Sequence, residues 1–144
     1  MLLTRLIHPG ILQALAAAGH GSTVLISDGN FPHATGPRAE APRVYLNLTP
    51  GRLLVTEVLE ALTTAVPIES AVLMRSLEPV APAAHEAIRS LLPAGTPVEL
   101  LDRFDFYEAT QSTDLALVIA TADQRLYANV LLRIGVVKPD AQGT

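Results

Sequence analysis

The chain has 144 residues, 49% of them hydrophobic and 17% charged, with a formal net charge of -4 and no cysteine. That is enough apolar material for one folded domain, and the composition is not that of a disordered chain. No dense Lys/Arg stripe is available for nucleic acid or an anionic membrane, and neither disulfides nor thiolate metal sites can form.

The start, MLLTRLIHPGILQALAAAG, is apolar but interrupted by Arg5, His8 and Pro9. It reads as a strand stub followed by a helix, not as a signal peptide. No apolar run approaches the roughly 20 residues of a membrane span, so a cytoplasmic location is expected. Pro9 can open a helix, where its missing N–H costs nothing. Ile11, Leu12 and Leu15 then recur at helical spacing. Gly19 suits the left-handed position that ends a helix, with His20 on the turn after it.

Ser22 to Asp28, STVLISD, is nearly continuously apolar and reads as a strand buried on both faces, with Asp28 at its carboxyl end. GNFPHATGPRAEAP is a Gly- and Pro-rich loop. RVYLNL is a short strand. Thr56 is the expected N-cap of EVLEALTTAV, whose Val58, Leu59 and Leu62 form an apolar stripe. IESAVLMRSL is a second buried strand, APAAHEAIRSLL a helix and VELLDRF a third strand. FYEATQS is a short helix, LALVIAT a fourth strand, ADQR a turn and YANVLLRIGVV a last strand. Alternating strands and helices with no long linker predict a single α/β domain over residues 1–144, with a mainly parallel sheet flanked by helices, Rossmann-like. Functional residues in such sheets gather at the carboxyl ends of strands, where Asp28 and Arg103 fall.

Four segments carry side chains suited to chemistry. His20 stands between two glycines and can shuttle protons near neutrality, although a histidine at a helix end is also simply favoured by the dipole. Asp28 before Gly29 is either an Asx-turn residue or a carboxylate that binds a hydroxyl or orients His20. In DRFDFYE, Arg103 can place a fixed cation in a pocket, while the aromatics Phe104, Phe106 and Tyr107 can equally be core. Tyr127 to Asn129 either starts a strand or presents a phenol and a carboxamide, both common in carbohydrate recognition. His8, His33 and His85 form no metal-ligand spacing, so no metal is expected. No Walker-type loop, G-x-G-x-x-G or G-x-S-x-G is present.

Taken together, GHGSTVLISDGNFP, DRFDFYEA and YANVLLRIGV stand in the order and rough spacing of the ribose pyranase/L-fucose mutarotase family. The resemblance runs from about Leu12 to Val136. Phe31-Pro32 and the RFDFYE stretch at Arg103 to Glu108 look like the fucose branch; ribose pyranases tend to carry a histidine where this chain has Arg103. RVYLNLTPGRLL is closer to the ribose branch. The resemblance implies an RbsD-like fold, His20 as proton donor, Asp28 and Arg103 as substrate contacts, and Tyr127, Ala128 and Asn129 as the segment that closes on the sugar. It also implies cytoplasmic rings, commonly stacked into decamers, with each site at a boundary between neighbouring subunits and no cofactor.

The expected activity is interconversion of the α and β anomers of a reducing monosaccharide, L-fucose first, with His20, Asp28 and Tyr127 as the catalytic group. Exchange of the pyranose and furanose rings of D-ribose is the alternative within the same chemistry. A sugar-binding ring protein without turnover is the alternative outside it, and a metal-dependent isomerase is disfavoured by the lack of a ligand cluster.

Overall fold

The structure is a computed structural model and describes residues 1–139. In chain order the elements are α1 (Pro9–Ala17), β1 (Thr23–Ser27), β2 (Arg43–Tyr45), α2 (Val55–Leu62) and β3 (Ile68–Met74), then α3 (Ala83–Leu91), β4 (Val98–Leu101), α4 (Arg103–Ala109), β5 (Leu115–Ala120) and β6 (Val130–Ile134). All six strands join one sheet in the order β2-β5-β1-β6-β3-β4. The pairs β1/β5, β2/β5 and β3/β4 are parallel. β6 runs antiparallel to both of its neighbours, β1 and β3. The mainly parallel α/β sheet expected from the sequence is therefore present.

The reversal of β6 positions the site. Because β6 runs against β1 and β3, the residues just before β6 arrive where β1 and β3 end. Tyr127 to Asn129 thus meet the carboxyl ends of the parallel strands, the edge at which open α/β sheets collect ligands.

Alternation within the strands sends side chains to two cores. Val24 and Ile26 join a large cluster with Ile11 and Leu15 of α1, Val58, Leu59 and Leu62 of α2 and Ile88 of α3. Leu25 points the other way, into a smaller cluster with Phe31, Met74, Phe106 and Leu131. Every residue of β1 is buried, which explains why its centre, Val24 to Ile26, is apolar on both faces.

Four local expectations are corrected. Residues 1–8 form no strand: Leu6 alone enters the core while Leu2 and Leu3 stay exposed, so the stretch offers no alternating face. Gly19 is not the left-handed residue after α1; Ala18 caps it in an extended conformation and Gly21 takes the positive φ of 85°. Leu54, not Thr56, is the N-cap of α2. The cap is part local and part distant, since the Leu54 N–H donates to Glu57 Oε2 at 2.6 Å and the Val55 N–H to Asp123 Oδ2 at 3.0 Å. Thr56 instead accepts a bond from Arg125 at 3.2 Å. Finally, β4 stops at Leu101, so Arg103 opens α4 and is not a strand residue.

The long loop between β1 and β2 is held from inside by Arg43. Its Nε donates to the His33 carbonyl, one terminal nitrogen to those of Ala39 and Ala41, and the other to those of Pro37 and Arg38, at 2.7 to 3.2 Å. A guanidinium carries five N–H groups, so its capacity is fully used on main-chain oxygens. That fixes the path by which the chain leaves Asp28 and keeps Phe31 and His33 beside the sheet edge.

Candidate functional site at the sheet's carboxyl edge

Asp28 follows the last residue of β1 and is 3% exposed. Its Oδ1 accepts the Asn30 N–H at 2.9 Å, the Asx turn that the sequence suggested. Its Oδ2 accepts from Asn129 Nδ2, also at 2.9 Å, and its own N–H donates to Asn129 Oδ1 at 2.9 Å. Burial raises the Asp28 carboxyl above its ordinary value, against the opposing effect of these bonds. The Asp28 carbonyl is engaged as well, by His33 Nε2 at 2.9 Å. A carbonyl only accepts, so that nitrogen of His33 carries the proton. Burial lowers the His33 pKa below its ordinary value, against the opposing effect of the Asp28 carbonyl and carboxylate.

Asp28, Arg103, Tyr127 and Asn129 line one cavity of about 340 Å³, within the range of small-molecule sites. Arg103, from the first turn of α4, is steered by Tyr107: its Nε donates to the phenol oxygen at 3.1 Å, and its guanidinium carbon lies 5.5 Å from the ring centroid. Its terminal nitrogens remain for a ligand. Tyr127 holds a positive φ of 61°, a conformation unusual for a residue with a side chain. One wall is apolar, made by Phe31, Met74, Leu77 and Leu126, and Arg75 and Asp102 form an ion pair of 2.9 Å at its edge. Fixed donors and acceptors opposite an apolar wall suit a small ring with hydroxyls on its rim and C–H bonds on its face.

Two candidate residues stand apart. Ala128 is wholly buried in the larger core and does not line this cavity. His20 precedes β1 while Asp28 follows it, so the strand's five residues, about 17 Å of rise, separate them. There His20 is exposed, with Nε2 3.3 Å from Glu69 Oε1, and it borders a separate open groove with Gly21, Arg38, Asp114 and Arg133. One chain by itself does not bring His20 to the other four.

The sequence reading missed the apolar wall, the role of His33 and the use of Asn129 as a clamp on Asp28. Phe31 and Tyr107 belong to GHGSTVLISDGNFP and DRFDFYEA, but nothing in their spacing shows that they meet, edge to face with centroids 5.4 Å apart. Among the described residues no group of three or more His, Cys, Asp or Glu side chains is placed to hold a metal ion, and no helix is long and apolar enough to cross a membrane.

Comparison with known proteins places this geometry in context. A D-ribose pyranase of Symbiobacterium thermophilum is 31% identical over 136 residues, covering 94% of this chain and 98% of that protein. The fucose mutarotase of Streptococcus pneumoniae, solved in complex with L-fucose, superposes with a TM-score of 0.75 at 25% identity, covering 92% of this chain and 95% of the other. Bacillus subtilis RbsD, solved with D-ribose, has the same fold, with a TM-score of 0.83 at 21% identity over 96% of this chain and all of the other. Residues 1–137 match the model of the RbsD / FucU transport protein family, and the chain belongs to that family.

Proposed function

We propose that this protein is a mutarotase that interconverts the α and β anomers of a reducing monosaccharide by acid/base-catalysed opening and closing of the ring. The convergence of Asp28, Arg103, Tyr127 and Asn129 on one monosaccharide-sized cavity carries this reading. Membership of a family whose named relatives include a ribose pyranase and a fucose mutarotase supports it.

The chemistry needs little apparatus. A base takes the proton of the anomeric hydroxyl, the C1–O5 bond breaks, and O5 receives a proton. The aldehyde turns about C1–C2, and the same steps run in reverse on its other face. His20 is the acid/base, supplied by a neighbouring copy, in keeping with the subunit-boundary sites that the family resemblance implies. Asp28 holds a sugar hydroxyl. Arg103 and Tyr127 bind ring and hydroxyl oxygens, and Tyr127 can relay a proton. Asn129 has one amide hydrogen left after clamping Asp28, and directs it to the sugar.

L-Fucose is the first choice of substrate. The apolar wall of Phe31, Met74, Leu77 and Leu126 matches a sugar carrying a methyl group, and Arg103 stands where ribose pyranases tend to carry histidine. The ribose pyranase relative, 31% identical, favours D-ribose as the second reading, with exchange of ring size through the same open-chain intermediate. A cytoplasmic ring, most simply a decamer, completes the proposal. Saturation-transfer NMR on L-fucose, D-ribose and D-galactose tests it. Faster exchange for one of them is expected; binding of a sugar without faster exchange would leave a non-catalytic sugar-binding protein.

A further inference from the structure

His85 is a buried histidine that none of the roles above uses. It lies on α3, on the face shared with Ala84 and Ile88, and is 6% exposed. Its Nε2 lies 3.2 Å from the carbonyl oxygen of Tyr127. The acceptor is a carbonyl, so this bond requires the proton on Nε2. The Met74 backbone, at the end of β3, also faces the ring, but a neutral imidazole has one N–H for the two.

The peptide that receives this bond is not an ordinary one. Tyr127 sits in the left-handed region, φ 61°, which a residue with a side chain holds only where the surroundings fix it. Its neighbours on the chain are tied down differently. Ala128 is sealed in the core, and Asn129 is bonded twice to Asp28. Leu126 is exposed. Among the described residues, His85 is the side chain bonded to the Tyr127 main chain.

We infer that His85 is a positioning residue: through the Tyr127 carbonyl it holds the strained turn that aims the phenol into the cavity shared with Asp28 and Arg103. It touches no sugar and acts only through Tyr127. Its catalytic consequence rests on the mutarotase reading, whereas its hold on Tyr127 does not.

The test compares His85→Asn with His85→Gln in the full chain. Glutamine places an amide N–H near the position of the imidazole Nε2; asparagine is shorter and stops short of Tyr127. Misplacing a reacting group by about 1 Å can cost 10²-fold, so H85N is expected to lose about 10- to 100-fold in kcat, with KM changed much less. H85Q should recover most of that loss. Two further readouts need no sugar. The imidazole ¹⁵N spectrum of the wild type should show His85 as the Nε2–H tautomer at neutral pH. The ¹³Cζ signal of Tyr127, assigned with Tyr127→Phe, should move in H85N and return in H85Q.

An Nδ1–H tautomer, or a Tyr127 signal indifferent to H85N, overturns the inference. So does equal kcat in H85N and H85Q when the wild type is active. A wild type that does not speed anomer exchange overturns the mutarotase reading instead, and the tautomer and Tyr127 signal still decide whether His85 holds Tyr127.

Discussion

Asn129 grips Asp28 with both ends of its carboxamide, its oxygen on the Asp28 N–H and its nitrogen on the Asp28 carboxylate, each at 2.9 Å. The two residues are 101 positions apart in sequence, and both are at least 96% buried. The pair therefore reports on the integrity of the site. Asn129→Ala leaves a buried N–H and a buried carboxylate oxygen short of a partner, and should cost about 1–3 kcal/mol. Denaturant unfolding measures this, and a cost near zero would show that the clamp is unimportant.

The Asp28 carboxyl gives a pH prediction with a definite sign. Its pKa is raised in the fold, chiefly by burial. The native state therefore holds this proton more tightly than the unfolded chain, and its stabilising contribution is complete below the ordinary value of 3.8 and lost as pH rises through the elevated one. Asp28→Asn does not titrate. Relative to the wild type, D28N should thus gain in thermal stability between pH 4 and pH 7, whatever its absolute stability. A gap that stays constant across that interval would contradict the burial effect.

His20 should be needed for turnover and dispensable for folding. A well-placed general acid/base is worth about 10²- to 10⁴-fold, so His20→Ala should slow anomer exchange by that factor with little change in melting temperature. An unchanged rate removes His20 from the mechanism.

The separation of His20 from Asp28 along β1 makes a stronger prediction. If each site takes His20 from one copy and Asp28 from the next, H20A and D28N co-expressed in one cell should assemble some sites that contain neither change. With random assembly in a ring, about a quarter of the sites regain both wild-type residues. Activity of the mixture at the level of the two variants alone would show that each copy works by itself.

Much of this was legible in the sequence, and the illegible parts share a cause. The nearly continuous apolar run within Ser22 to Asp28 announced a central strand, and Asp28 fell where a strand-end carboxylate should. Hydropathy has no arrow, however, so nothing in YANVLLRIGVV showed that β6 runs against its neighbours, and that direction brings Asn129 to Asp28. The capping of α2 was hidden for a similar reason. Thr56 is the better local cap, but Asp123, brought in from beyond β5, takes the Val55 N–H. Burial would raise the Asp123 carboxyl, but the bonds from Arg125 and from the Arg125 and Val55 N–H groups outweigh it and leave the pKa lowered. His85 did leave a trace: with Ile88 and Leu92 it follows helical spacing on one apolar face, so its burial was readable while its partner was not.

The loop behind Phe31 supplies a test of its own. Arg43→Lys keeps the charge but has at most three N–H donors for the five carbonyls that Arg43 serves. Hydrogen bonds from a charged donor contribute about 1.5–3 kcal/mol each before relaxation, so a loss of a few kcal/mol is expected, with faster amide exchange in residues 33–42. Protection equal to the wild type would mean the loop stands without it.

That arrangement also divides the loop into a part free to drift and a part that is not. Arg43 grips only peptide oxygens, which every residue type presents alike. Exposed positions such as Ala34, Thr35, Ala39 and Glu40 can therefore change identity while the backbone keeps its course. The fragility that would otherwise be spread over a Gly- and Pro-rich stretch is gathered in one arginine, outside the segment it shapes.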